Sequence, residues 1–176
     1  RTLSLPTLKK VLDSSVWRIN RNFITESRLI TRNNILDSLV PYFKDERYIL
    51  LVCDMGFSKI DNLKKLYPER VINCGIAEQA TIGISSGMAE AGLRPIVYGI
   101  ASFLVFRALE QIKNDIVHRN LNVKLIGSGS GDYFKDMGEC HWCKDDDIKL
   151  MNLINMPVYE DFGEWITSEK AGYIRC

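Results

Sequence analysis

The chain has 176 residues, 46% of them apolar, enough to bury one sizeable core, so a single α/β domain is expected. Its 23 basic and 22 acidic residues leave a net charge of +1 with no long run of either sign, which argues against nucleic-acid or membrane-surface partners, since both need a clustered basic face. No apolar run approaches the roughly 20 residues that span a bilayer.

Residues 1–24 read as an N-terminal helical extension, with an amphipathic helix near Thr7–Trp17, and residues 25–176 as the α/β domain. A second helix is expected near Thr31–Phe43, where Ile35, Leu36, Leu39, Val40 and Phe43 recur at helical spacing. Tyr48–Cys53 is an unbroken apolar run ending at Asp54 and Gly56, the pattern of a strand buried on both faces. A helix near Lys59–Leu66 then leads to strand Arg70–Cys74. A Gly- and Ala-rich helix near Ala77–Ala91 leads to strand Pro95–Tyr98. A long helix near Phe103–Arg119 precedes strand Val123–Gly127. A helix near Asp145–Ile154 and short strands around Pro157–Tyr159 and Tyr173–Arg175 complete the order.

Strands alternating with helices of this length imply right-handed crossovers and a mostly parallel sheet with helices on both faces. Ligands then bind beyond the carboxyl ends of the strands. Three stretches with reactive side chains fall there: Asp54–Ser58, Gly75–Glu78 and Gly127–His141. The Gly- and Ser-rich loop from Ser128 to Cys140 is too long for a plain connection, which favours a functional loop.

The five cysteines are an odd number, and Cys53 and Cys74 lie in strand-like runs. That favours a reducing, cytoplasmic setting over a disulfide framework. Cys140-His141-Trp142-Cys143 places three zinc-type ligands together but lacks a second close pair, so no metal site is assigned.

Glu78 opens a helix after a glycine turn. Alone, it reads as an acid complementing the helix dipole. The joint pattern Asn73-Cys74-Gly75-Ile76-Ala77-Glu78-Gln79, with Gly83, Gly87, Gly92 and Pro95, says more. It resembles the pyrimidine-binding domain of the transketolase family, whose relatives include deoxyxylulose-phosphate synthases and dehydrogenase beta subunits. Ile30-Thr31-Arg32, Asp54 with Ser58, Phe103 to Gln111 and Gly138 to His141 follow the family's order, so the resemblance spans roughly residues 25 to 175.

The resemblance implies a thiamine diphosphate enzyme with Glu78 as the activating acid. A glutamate at pyrimidine N1′ favours the imino tautomer, whose own nitrogen takes the thiazolium C2 proton. Such a carboxyl should be poorly solvated. The resemblance places Asp54, Ile76, Phe103 and Phe106 at the cofactor too, the aromatics by ring contact. His141 takes the place of the family's loop histidine, suited to proton transfer with substrate oxygens. Arg32 and Ser58 match positions that bind sugar phosphate, and Arg107 is a further candidate for a substrate carboxylate or phosphate. Each also has a plainer reading: a surface charge for Arg32, a turn cap for Asp54, a solvated helix arginine for Arg107. Leu109 and Ile112 read as a core stripe, and His118 as a capping or surface residue.

The chain departs from the family at Met137-Gly138-Glu139-Cys140-His141, where Asp-Gly-Pro-Thr-His is usual, and a second loop histidine near Gly129 or Ser130 is absent. No diphosphate or Mg²⁺ motif is found. The resemblance therefore implies a partner chain or domain that supplies those ligands, in a heterotetramer of two of each subunit. The leading expectation is transfer of a two-carbon ketol unit between sugars. The alternatives are decarboxylation of a 2-oxo acid, or a non-catalytic assembly module.

Overall fold

The computed structural model describes residues 32–129 and 131–176, with side chains from Asn34 onward. The 1–24 extension, its predicted helix near Thr7–Trp17 and the side chain of Arg32 lie outside the described residues.

Six parallel strands form one sheet in the order β2-β1-β3-β4-β6-β5. They are β1 (Tyr48–Val52), β2 (Val71–Asn73), β3 (Arg94–Ile100), β4 (Lys124–Ser128), β5 (Val158–Tyr159) and β6 (Gly172–Arg175). The helices are α1 (Arg32–Ile35), α2 (Asp61–Leu66), α3 (Glu78–Glu90), α4 (Leu109–Gln111), α5 (Asp146–Leu153) and α6 (Phe162–Thr167). This is the mostly parallel α/β architecture expected from the sequence.

Side chains alternate across a strand, so each strand feeds two cores. Leu50 and Val52 of β1, Ile96 and Tyr98 of β3 and Ile126 of β4 pack with Ile35, Leu39, Phe43, Leu63 and Trp165. Leu51, Val97 and Leu125 face the other way, against Ile82, Leu104, Ile112, Ile116 and Met151. The apolar runs are continuous because both faces are covered.

Three local readings are corrected. The helix expected over Thr31–Phe43 is broken into α1 and two 3₁₀ turns, Asp37–Leu39 and Tyr42–Lys44. Pro41 lies between the turns; it has no N–H to donate, and its ring excludes a continuous α-helix through the preceding turn. Its apolar positions are still core: Ile35, Leu36, Leu39 and Phe43 are buried. The long helix near Phe103–Arg119 is α4 flanked by two π-helical segments, Phe103–Arg107 and Ile112–Val117. Helix α6 was not expected at all; Asp161 caps it, accepting from the Glu164 N–H at 2.8 Å.

Candidate functional site

β1 connects to β2 on one side, and the chain then crosses to β3 on the other. The order reverses there, and in open α/β sheets ligands bind at such a point, beyond the carboxyl ends of the strands, here β1 and β3. The loop after β1 is held in an unusual backbone: Asp54 and Ser58 have φ of +44° and +64°. Gly56 between them has φ +82°, and a Cβ there would lie 2.8 Å from the Tyr98 ring. Only glycine fits both the conformation and the space.

Asn73, the last residue of β2, ties this loop to the next. Its Oδ1 accepts from the Asp54 N–H at 3.2 Å and the Gly75 N–H at 2.9 Å, and its Nδ2 donates to Asp54 Oδ1 at 3.2 Å. The side chain thus makes an Asx turn that directs the backbone into α3. Gly75 takes φ +74°, and Glu78 becomes the first residue of a 13-residue helix.

Glu78 is only 4% exposed. It stands in the first turn of α3, and Arg107 meets it from the segment after β3. Arg107 Nη1 lies 3.2 Å from Glu78 Oε2 and 3.3 Å from Oε1. The guanidinium carbon sits 4.0 Å from the centroid of the Phe103 ring, a cation–π contact. The edge-on contact continues from Phe103 to His141, with ring centroids 4.7 Å apart, and Phe134 flanks the imidazole at 6.1 Å. Carboxylate, guanidinium, phenyl ring and imidazole therefore form one contiguous line.

The loop carrying His141 is fixed at several points. Buried Ser102 donates its Oγ–H to the Cys140 carbonyl at 2.9 Å. The Gly131 N–H donates to the Lys144 carbonyl at 3.1 Å, closing the loop's base. Beyond it, Arg175 donates to the Lys144 carbonyl at 2.5 Å and reaches Asp145 and Asp147. Cys140 Sγ lies 3.1 Å from His141 Nδ1.

The structure thus brings together Glu78, Arg107, Phe103 and His141, with Asp54 tied through Asn73 to the turn that precedes Glu78. Ile76 and Phe106 are exposed, at 73% and 42%. Ser58 is exposed in the loop after β1, and His118 is exposed before β4. Arg107, a candidate for a substrate carboxylate or phosphate, meets Glu78 in this structure, and pairing across 29 residues has no sequence signature. Ser102 has no sequence signal, Cys140 entered only as a zinc-type ligand and Asn73 only as the start of the glycine-turn pattern; the Asn-x-Gly spacing is the signal for its turn. Among the described residues no three His, Cys, Asp or Glu side chains come together to hold a metal ion. Nor is any described helix long and apolar enough to cross a membrane.

A family model described as the transketolase pyrimidine binding domain matches residues 36–151. An apulose-4-phosphate transketolase subunit of Phocaeicola vulgatus is 32% identical over 120 residues, covering 67% of this chain and 38% of that protein. The 6-deoxy-6-sulfo-D-fructose transketolase subunit SqwH of Clostridium sp. (strain MSTE9) is 31% identical over 131 residues, 73% of this chain and 41% of that protein. Among solved structures, a split gene transketolase, described as an inactive beta4 tetramer, superposes with a TM-score of 0.67 at 28% identity. It covers 82% of this chain and 49% of that one. The chain thus spans about two fifths of the length of these two curated relatives.

Proposed function

The chain belongs to the transketolase pyrimidine-binding domain family, and we propose that it is the cofactor-activating part of a thiamine diphosphate-dependent transketolase-like enzyme. The buried carboxyl of Glu78 at the head of α3 is the observation that carries this reading. A non-catalytic module has no need to bury an acid beside a guanidinium and connect it, ring by ring, to an imidazole.

The residues present fit the aminopyrimidine end of the cofactor. That group needs one acid and apolar or aromatic contact. Glu78 supplies the acid; Ile76 and Phe106 offer exposed apolar surface, and Phe103 is half-buried beside Arg107. When bound, thiamine diphosphate supplies a carbon acid able to carry a two-carbon ketol unit. Glu78 would hold a proton at the pyrimidine N1′. Ile76, Phe103 and Phe106 would hold the ring, with Asp54 at its edge. His141 would pass protons to and from substrate oxygens. Arg32 and Ser58 would bind the phosphate of a sugar substrate, and Arg107 would orient Glu78.

The ligands for the diphosphate and Mg²⁺ would come from a partner chain or domain, in a cytoplasmic heterotetramer serving carbohydrate metabolism. Both curated relatives are named as one subunit of a transketolase, which supports a partner, and so does the inactivity ascribed to a tetramer of one subunit type. The test is to co-express the chain with a diphosphate-binding partner and titrate thiamine diphosphate and Mg²⁺ by calorimetry. Binding by the pair but not by the chain alone is expected. Binding by the chain alone would refute the divided site, and none by the pair would leave only an assembly role.

A further inference from the structure

We propose that Cys140 is a peroxide-reactive thiol whose oxidation switches the imidazole of His141. Its sulfur lies 3.1 Å from His141 Nδ1, within reach for a nucleophile and its base. With the imidazole proton on Nε2, the thiol donates to Nδ1. The pair is also held rather than incidental: the Cys140 carbonyl accepts from buried Ser102, and the imidazole packs edge-on to Phe103 and Phe134.

The other thiols are poor competitors. Cys53 and Cys143 are buried, and burial pushes their thiols up to about 12 and about 11, which suppresses the thiolate that reacts. Cys74 and Cys176 are half-buried, and Cys140 is the exposed one.

In the reaction, the thiol proton passes to His141 Nδ1 as the sulfur attacks one oxygen of hydrogen peroxide. The O–O bond breaks, and the departing hydroxide takes the proton from the imidazolium as water. Sulfur is oxidised to the sulfenic acid, peroxide is reduced to water, and a small thiol reverses the change. The sulfenic acid replaces the weak S–H donor at Nδ1 with a stronger O–H donor, which holds the imidazole more tightly than the thiol does. The consequence for turnover rests on the thiamine reading; the reactivity of the thiol does not.

The test exposes the full chain to hydrogen peroxide, traps sulfenic acids with dimedone and quantifies each cysteine by peptide mass spectrometry. Cys140 should be trapped roughly tenfold or more faster than Cys74 and Cys176, and His141→Gln or unfolding in urea should abolish that lead. Equal trapping of the three thiols would overturn the proposal, as would a lead that survives His141→Gln or persists in urea. In the enzyme paired with its partner, peroxide should lower turnover in step with trapping at Cys140, and Cys140→Ser should resist it. An active pair whose turnover ignores Cys140 oxidation would overturn the switch. A pair with no activity at all would count against the thiamine reading, while the trapping still decides the thiol.

Discussion

A single nitrogen of Arg107 bonds both oxygens of Glu78, at 3.2 and 3.3 Å, while its guanidinium covers the Phe103 ring. The carboxylate is buried and the arginine about half exposed. The pair therefore fixes the direction of the acid more than it stabilises the fold, because solvent screens the exposed partner. Arg107→Leu should melt within a few degrees of the wild type and lower turnover of the assembled enzyme roughly a hundredfold through a misplaced acid. Full activity in the variant would count against the orienting role; a collapsed fold would make the pair structural.

Tyr173 and Asp147 make the buried counterpart on the other side of β4. The Tyr173 hydroxyl donates to Asp147 Oδ2 at 2.6 Å, and both residues are fully buried. Asp147 Oδ1 already has no hydrogen-bond partner among the described residues. Tyr173→Phe should therefore cost about 2–3 kcal/mol, since it strips a donor from a buried acid. Urea unfolding of the two proteins gives the number.

The same hydroxyl explains Gly127. A Cβ on Gly127 would lie 2.0 Å from Tyr173 Oη and 2.6 Å from Cζ. Gly127→Ala should destabilise by about 3 kcal/mol, the cost of overpacking a core that cannot retreat. In the Tyr173→Phe background the oxygen is gone, so the penalty should shrink, and the double-mutant cycle should show that coupling.

Lys124 gives a pH signature. It is buried at the start of β4, where burial pulls its ammonium down from 10.5 to about 8. Its Nζ still donates to the carbonyls of Ser168 and Lys170 at 2.9 and 2.5 Å. Between about pH 8 and 10.5 the unfolded chain keeps a proton that the folded chain has released. Stability relative to Lys124→Met should then rise with pH through that window. A difference that stays flat or falls across the window, measured by urea midpoints, would contradict this.

Much of the fold was legible because both faces of the sheet are covered: runs such as Tyr48–Val52 and Pro95–Tyr98 could only be central parallel strands. What escaped was local. The apolar positions between Phe103 and Arg119 fit 3.6 residues per turn nearly as well as the wider π turns, so the spacing places Leu109 and Ile112 in the core, where Ile112 is buried and Leu109 partly so, but does not give the helix type. The Asp161 to Glu164 spacing was a capping signal for α6 that went unread. At the site, single residues announced themselves through the Gly75–Glu78 turn and the His141 loop. Their wiring did not. Arg107 reaches Glu78 and Asn73 reaches Asp54 across 29 and 19 residues, and only the sheet brings such pairs together.

The acid's role at the pyrimidine is tested most directly by the exchange rate of the thiazolium C2 proton of bound cofactor. It is read by NMR in the assembled enzyme carrying Glu78 or Glu78→Gln. Exchange should slow roughly a hundredfold or more in the variant while the cofactor stays bound. Equal exchange rates in the two proteins would show that Glu78 does not activate the cofactor.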